Sequence, residues 1–306
     1  MQGRALDFAV LALGIAAVST AAVLIREADA PVLAIAAYRL AFASLPLLAL
    51  AAVRRRAILP SQRDRAALTL ASGLMLAAHF AFWVASVKQT SVVTATVLVT
   101  TTPLFVSLAS GPLLHEPPGR ATWTGLAIAA AGSLLMVSED FGAGADTLQG
   151  DAFALLGALF AAAYFLAGRR LLAEGLNWLH YITVTYSTAA VCLVALALVG
   201  GSRLSGYSAE TFGIFLLLAL VPQLIGHGSI NRSLSRLPAV AVSLAVMGEP
   251  VGATVLAAAL LGEHPSVLEI TGGLLVLAGV YAGLRPSLNP KAPLPSKEAA
   301  RGGNIV

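Results

Sequence analysis

The hydrophobic positions of this chain fall into long continuous runs, each ended by charged residues or by glycine and proline. Most runs reach about 20 residues, the length that a helix needs to cross the hydrocarbon core of a bilayer. Tilt and local bilayer adjustment accommodate the other lengths. The pattern predicts ten membrane-spanning segments, numbered here in chain order: 6–25, 31–53, 66–87, 91–111, 121–138, 150–168, 177–199, 211–231, 238–261 and 267–284.

These runs predict helices rather than strands. The short alternating segments of a membrane β-barrel do not occur, and a helix satisfies its own backbone hydrogen bonds in lipid. Composition agrees, because 58% of the 306 residues are hydrophobic, 11% are charged and the mean hydropathy is +0.85. Too little polar surface remains for a water-soluble globule. We therefore expect an all-α membrane protein.

Basic residues are distributed unevenly between alternate loops. With a cytoplasmic N-terminus, 15 of the 19 Lys and Arg residues fall on the cytoplasmic side, and the outer loops keep only Arg26, Lys88 and Arg203. The positive-inside rule then places both termini in the cytoplasm. The same residues explain the basic pI of about 9.5 without a nucleic-acid partner, because they face anionic lipid headgroups.

Prolines, glycines and a glutamate of the first half of the chain recur in the second half at a shift of 147 positions. The matching pairs are Pro103 with Pro250, Glu116 with Glu263, Pro118 with Pro265, Gly125 with Gly272, and Gly132 with Gly279. Because five spans is an odd number, the second copy enters the membrane from the opposite side. We expect two inverted five-helix repeats, 1–140 and 141–285, and a disordered cytoplasmic tail, 286–306. Such repeats offer two states of similar energy and hence alternating access.

Two matching segments carry a family resemblance. The segments 91–118 (SVVTATVLVTTTPLFVSLASGPLLHEPP) and 238–265 (PAVAVSLAVMGEPVGATVLAAALLGEHP) are each followed by a glycine-rich helix. They resemble the paired signature of the EamA family in the drug/metabolite transporter superfamily. The resemblance covers residues 6–285 and implies a ten-helix inner-membrane carrier. It also implies a central cavity lined mainly by spans one, three, four, six, eight and nine, and small-molecule substrates such as amino acids, their derivatives or other metabolites.

Ionisable residues inside the apolar spans are candidate functional residues, because a charge in hydrocarbon costs about 2.5–3.5 kcal/mol on insertion scales. Glu249 lies near the middle of span nine, beside Pro250, which loosens the helix. Its carboxylate can take a substrate amine, a proton, or each in turn. The alternative is a structural acceptor that ties a broken helix. The functional role is the one we predict.

Arg39 in span two and His79 in span three lie at a shared depth, about 12 Å below the outer surface on helical rise. Arg39 can hold a substrate carboxylate through two hydrogen bonds. The alternative, a structural clamp between helices, is favoured slightly because span two is not expected to line the cavity centrally. His79 shares a helical face with Trp83 and Ser86, so its imidazole either meets substrate or packs in the core.

Further candidates come from other spans. His227 forms a polar stripe with Gln223 and Asn231 in span eight, and Tyr164 of span six either reaches the cavity or packs internally. Span four offers five threonines but a single aromatic ring, Phe105, which favours a small polar substrate. The candidate substrate-binding residues are Glu249, His79, Trp83, Thr101, Arg39, His227, Tyr164 and Ser243.

Motifs for chemistry are missing from the sequence: GxxxxGK[ST], HExxH, paired CxxC and GxSxG do not occur. We therefore expect neither an enzyme nor an ATP-driven pump, and no cofactor or metal. The expected function is export of small metabolites, most closely amino acids or related zwitterions, by a monomeric secondary transporter that uses protons or the substrate gradient. The alternatives are import of another small metabolite and export of cationic drugs. A membrane-embedded enzyme or a scaffold is less favoured.

Overall fold

The computed structural model describes residues 2–55, 59–138, 145–262 and 264–288. These ranges contain helices and turns but no strand, which confirms the all-α prediction. The helices are α1 (Gln2–Val18), α2 (Ala21–Glu27), α3 (Val32–Val53), α4 (Arg63–Gln89), α5 (Val92–Val99), α6 (Thr102–Leu114), α7 (Arg120–Met136), α8 (Ala145–Ala173), α9 (Trp178–Val199), α10 (Ala209–Leu218), α11 (Gly228–Leu234), α12 (Ala239–Val246), α13 (Glu249–Leu261) and α14 (Val267–Leu288). A π-helix, Ala219–His227, joins α10 to α11.

Within the described ranges, nine helical segments are long and apolar enough to cross a membrane. They are Arg4–Glu27, Val32–Val53, Arg63–Gln89, Val92–Leu114, Leu148–Ala173, Trp178–Val199, Ala209–Leu234, Ala239–Leu260 and Val267–Leu288, and they coincide with nine of the ten predicted spans. The other predicted span, 121–138, corresponds to α7, which has 17 residues and lies at the short end of the spanning range. The count of ten stays a prediction, as does the orientation of the termini.

Three predicted spans are each divided between two helices. Span one divides between α1 and α2, span four between α5 and α6, and span nine between α12 and α13. In the last two, a proline occupies the first turn of the second helix: Pro103 in α6 and Pro250 in α13. Proline has no N–H to donate and its ring clashes with the preceding turn, so it starts a helix more readily than it continues one. The two breaks therefore occupy the same place in both sequence repeats.

Helices from the two halves of the chain interleave in the bundle. The α4 helix packs along α8, α3 packs along α9, and α1 packs against the π-helix and α11. Large apolar side chains remain on the outside, including Leu108 and Val191, which are 61% and 71% exposed. A continuous apolar exterior is typical of a surface that contacts lipid.

The α7 and α14 helices run antiparallel and touch through glycines. A Cβ atom at Gly132 would lie 2.5 Å from the Gly272 carbonyl oxygen, and a Cβ at Gly272 would lie 2.5 Å from the Gly132 carbonyl oxygen. A Cβ at Gly125 would meet the backbone of Gly279 in the same way. Only glycine allows backbones to approach so closely. The contact is reciprocal, because Gly125 and Gly132 are the sequence counterparts of Gly272 and Gly279.

The end of α14 differs from the prediction. The tail was expected to begin at residue 286, but α14 continues through Pro286 to Leu288. A proline this near a helix end removes one backbone hydrogen bond and has no long helix beyond it to disrupt. The rest of the predicted tail, the predicted boundary at 140–141 and Glu263 lie outside the described residues.

Candidate functional site

A narrow cavity lies where the helix breaks meet. It is lined by Val18, Ala21, Arg39, His79, Trp83, Val99, Thr100, Thr102, Ala161, Tyr164, Phe165, His227, Ile230, Val246 and Glu249. All six spans that the family resemblance implies contribute to the wall. Broken helices in a membrane bundle are tolerated where they face such a cavity and not lipid. The cavity is therefore the candidate substrate site.

The structure brings together six of the eight candidate residues on this wall: Glu249, His79, Trp83, Arg39, His227 and Tyr164. The two others lie outside the cavity lining. The Thr101 hydroxyl donates to the Leu98 carbonyl at 2.8 Å, and the fully buried Ser243 donates to the Val240 carbonyl at 3.1 Å. Thr100 and Thr102, on either side of Thr101 at the break between α5 and α6, line the cavity instead.

Arg39 is fully buried on α3 and lines the cavity. Its Nε donates to Oε1 of Gln223 at 2.8 Å, and its guanidinium carbon lies 4.2 Å from the centre of the Phe80 ring, a favourable cation–π contact. Its Nη1 and Nη2 atoms have no hydrogen-bond partner among the described residues. Span two therefore contributes to the cavity wall through this one long side chain.

Glu249 is the first residue of α13 and lies at the helix break on the cavity wall. The amino end of a helix carries a partial positive charge, which stabilises a carboxylate there. The Ser19 hydroxyl donates to the Glu249 backbone carbonyl at 3.3 Å and so ties the break in span one to the break in span nine. Across the described chain, Glu249 and Arg39 form no direct ion pair.

His79 is held by α8. Its Nδ1 lies 2.9 Å from the Gly157 carbonyl oxygen, and a carbonyl can only accept, so Nδ1 carries a proton and Nε2 is the acceptor of the neutral ring. The imidazole is parallel to the Trp83 ring at a centroid distance of 6.1 Å and lies 6.4 Å from the His227 ring. His79 and Trp83 therefore share a face as predicted, whereas Ser86 is buried outside the cavity lining.

Gln223 lies outside the cavity lining but contacts the site through Arg39, and the list of candidates did not include it. It is fully buried in the π-helix, directly after Pro222, and its Oε1 accepts the Arg39 hydrogen bond. The Tyr186 hydroxyl donates to the Gln223 backbone carbonyl at 3.5 Å. π-Helical turns are rare and occur frequently at functional sites. The sequence signal was a proline followed by an amide in the middle of an apolar span.

Tyr164 offers the cavity a ring but not a free hydroxyl. The hydroxyl donates to Oδ1 of Asn231 at 2.9 Å, and Nδ2 of Asn231 donates to the His227 carbonyl at 2.7 Å. The Tyr164 ring also stacks on Tyr181 at a centroid distance of 5.9 Å. Asn231 is fully buried in α11, so span eight extends past it and Asn231 is part of the bundle core.

The threonines of span four are also engaged. The hydroxyls of Thr96, Thr100, Thr101 and Thr102 donate to carbonyls three or four residues earlier, at 2.6, 2.9, 2.8 and 2.8 Å. Their donors are therefore used inside the helices. The aromatic surface of the cavity comes from α4 and α8 and not from Phe105. The hydroxyls of Thr100 and Thr102, which line the cavity, can still accept hydrogen bonds, and the small polar substrate stays a prediction.

A second polar group, which we call the Arg169 cluster, lies at one end of the same helices. Arg169 of α8 donates from Nε and Nη2 to Oε1 of Glu116 at 2.9 and 2.7 Å, and from Nη1 to the Leu234 carbonyl at 2.9 Å. Oε2 of Glu116 accepts from the Ala239 backbone N–H at 3.4 Å. The cluster joins the ends of α6, α8, α11 and α12 through charge-assisted hydrogen bonds.

Known proteins similar to this chain are named as transporters. The "Uncharacterized transporter YdfC" of Bacillus subtilis (strain 168) is 28% identical over 249 residues, which cover 80% of this chain and 79% of the relative. An "Uncharacterized transporter" of Archaeoglobus fulgidus is 25% identical over 254 residues, which cover 81% of this chain and 86% of the relative.

A solved crystal structure has the same fold. It aligns with a TM-score of 0.77 at 16% identity and covers 94% of this chain and 100% of its own. The model of the EamA-like transporter family matches residues 5–138 and again residues 148–284. Together with the nine apolar helices found in the described residues, these matches identify a multi-pass membrane protein. The chain belongs to the EamA-like transporter family.

Proposed function

We propose that this chain is a secondary transporter that exports small zwitterionic metabolites, most closely amino acids or their derivatives, across the inner (plasma) membrane. The observation that carries the proposal is the presence of Arg39 and Glu249 on the wall of one buried cavity. A substrate with a carboxylate and an ammonium group offers a partner to each of them. The cavity then binds the substrate through both ends of its charge distribution.

Other charge types fit this cavity less well. Arg39 keeps two amino groups without a partner among the described residues, and a buried charge left unpaired costs about 3–5 kcal/mol. A cation would pair with Glu249 and leave Arg39 alone, and an anion would do the reverse. A zwitterion is the smallest ligand that satisfies both side chains.

We further propose that residues 1–140 and 141–285 are inverted five-helix repeats, that the protein has ten spans with both termini in the cytoplasm, and that a monomer works by alternating access. Two observations support this arrangement. The family model matches each half separately, and the glycine contact between α7 and α14 is reciprocal, as a two-fold relation requires. On this orientation, the Arg169 cluster lies on the cytoplasmic side.

The first experiment measures uptake of a panel of radiolabelled amino acids into proteoliposomes, with and without an imposed pH gradient. We expect native protein to transport an amino acid faster with the gradient, and Glu249→Gln to lose that response, because the variant carboxamide cannot exchange a proton. Glu174→Gln is the matched control, since Glu174 is an exposed carboxylate paired with Arg65 and Arg170. Gradient-independent transport that survives in Glu249→Gln would reduce Glu249 to a structural role and leave a facilitator.

Export of cationic drugs is the second candidate, and the rings of Trp83, Tyr164 and Phe165 in the cavity wall with Glu249 are the observation in its favour. Arg39 in the same wall opposes it. Transport of quaternary ammonium ions, with no amino acid moving, would replace the zwitterion proposal with this one. Comparing uptake with efflux from loaded vesicles then separates export from import of a metabolite.

A further inference from the structure

Several hydrogen-bond donors at Arg39 lack an acceptor, on Arg39 itself, on Gln223, which it contacts, and on Trp83, whose ring centre lies 5.6 Å from the guanidinium carbon. Nη1 and Nη2 of Arg39, Nε2 of Gln223 and Nε1 of Trp83 are buried and have no partner in the ranges that the structure describes. None of these four nitrogens can accept a hydrogen bond. A buried donor without an acceptor is unfavourable, so a group of donors around one cation matches an anion with several acceptor sites.

Gln223 determines which nitrogen atoms of the Arg39 guanidinium remain free for a ligand. The Nε of Arg39 can only donate, so the amide oxygen of Gln223 must face it at 2.8 Å, and the amide nitrogen must point elsewhere as a further donor. With Nε engaged, the guanidinium presents Nη1 and Nη2 to the ligand. Phe80 covers the flat side of the guanidinium at 4.2 Å. The side chain therefore has little freedom to turn.

We propose that Gln223 is a positioning and specificity-determining residue that makes Arg39 a subsite for the carboxylate group of the substrate. The inference deepens the proposed zwitterion transport and rests on it, with Glu249 left to bind the ammonium end. The neutral amide is essential to this role. A carboxylate at position 223 would accept the same hydrogen bond but neutralise the guanidinium, and the substrate carboxylate would then meet a second negative charge.

The experiment follows binding through the fluorescence of Trp83. The chain has three tryptophans, and Trp123 and Trp178 lie outside the cavity lining, so Trp123→Phe and Trp178→Phe together leave Trp83 as the single reporter. Three probes divide the substrate chemistry: L-alanine carries both charges, propionate only the carboxylate, and L-alaninamide only the ammonium group. Each probe is titrated into the full-length reporter protein and into two isosteric variants of it, Gln223→Glu and Gln223→Met.

We expect Gln223→Glu to weaken binding of alanine and propionate by about 100-fold and Gln223→Met by about tenfold, the range that hydrogen bonds to charged groups span. Binding of alaninamide stays unchanged in both variants, which a general structural defect would not allow. Thermal unfolding of each variant verifies that it is folded. If Gln223→Glu does not fold, Gln223→Met alone decides, because it removes the acceptor without adding charge.

Native affinity for alanine and propionate in both variants would overturn the inference. The inference would also be overturned if the native protein bound neither alanine nor propionate. If it bound only alaninamide, the remaining function would be transport of amines that bind to Glu249. Binding of propionate without alanine, when it depends on Gln223, would instead end the zwitterion proposal and keep the carboxylate subsite. The two proposals therefore fail in different ways.

Discussion

The two parts of the Tyr164 side chain have different surroundings. Its ring lines the cavity, and its hydroxyl donates to Asn231 within the bundle. We expect Tyr164→Phe to lower the free energy of unfolding by about 1–3 kcal/mol, because the buried Oδ1 of Asn231 loses its donor. The KM for substrate should change little, since the ring remains. Thermal unfolding in detergent and uptake in proteoliposomes test the two halves of this prediction.

Tyr281→Phe is the control for Tyr164→Phe, because Tyr281 is 65% exposed on α14 and its hydroxyl is not buried. That variant should unfold like the native protein. A Tyr164→Phe protein with native stability and a raised KM would assign the Tyr164 hydroxyl to substrate binding.

Residue roles were only partly predictable from sequence, because helices that are apolar on every side carry no signal for side-chain direction. Arg39, His79 and Glu249 stand out by charge alone, and six of the eight candidates indeed line one cavity. Thr101 was selected in place of Thr100 and Thr102 because the sequence does not show which side chains face the cavity at a helix break. Gln223 was passed over because its importance depends on Arg39, 184 positions away in the chain.

At the scale of elements, the contact between α7 and α14 is the most sensitive to volume. We expect Gly132→Ala to destabilise the protein by about 1–3 kcal/mol, because an added methyl group forces packed backbones apart. The Cβ would lie 2.5 Å from the Gly272 carbonyl oxygen, and a carbonyl of the helix backbone cannot move aside. The midpoint of thermal unfolding measures the effect.

Gly213→Ala gives the matched control within α10, where nothing lies within 4 Å of the added Cβ. It should be neutral or stabilise by up to about 1 kcal/mol, the difference in helix propensity between alanine and glycine. Equal unfolding midpoints for the Gly132→Ala and Gly213→Ala proteins would show that the α7–α14 contact is looser than the structure indicates.

The length of an apolar run predicts a membrane span well, because the thickness of the bilayer sets the length of a spanning helix. Nine predicted spans agree with helices of the described chain. Interruptions within a span are harder to predict. Pro103 and Pro250 mark two of them, whereas the break after Val18 has no proline and depends on hydroxyl contacts of Ser19 and Thr20 with the preceding turn. The spacing of hydrophobic positions around Gln223 does not distinguish a π-helix from an α-helix.

At the scale of the whole molecule, the Arg169 cluster holds together the ends of four helices that also reach the cavity wall. We expect Glu116→Gln to open the cavity toward that end, since a hydrogen bond to a charged group contributes about 1.5–3 kcal/mol. The measurement uses Val246→Cys on the cavity wall with the single native cysteine removed by Cys192→Ala. A membrane-impermeant thiol reagent should modify Val246→Cys at least about tenfold faster from the cytoplasmic side when Glu116 is replaced.

The charge-reversed pair Glu116→Arg with Arg169→Glu should slow this modification again, and Glu174→Gln should leave it at the native rate, since Glu174 pairs with Arg65 and Arg170 at the surface. Faster modification from the opposite side would contradict the proposed orientation. Modification at the native rate in Glu116→Gln would show that the Arg169 cluster does not control access.

The repeat shift places Thr102 opposite Glu249 and Tyr186 opposite Arg39, and Thr102 and Glu249 both line the cavity. A carrier assembled from two identical five-helix chains would carry each charge twice, related by the symmetry axis, and its cavity could have no polarity across that axis. Two copies joined in one chain are free to differ, and here one copy holds the cation and the other holds the anion. The broken symmetry gives the cavity a positive and a negative pole, so a dipolar molecule has only one favourable orientation within it.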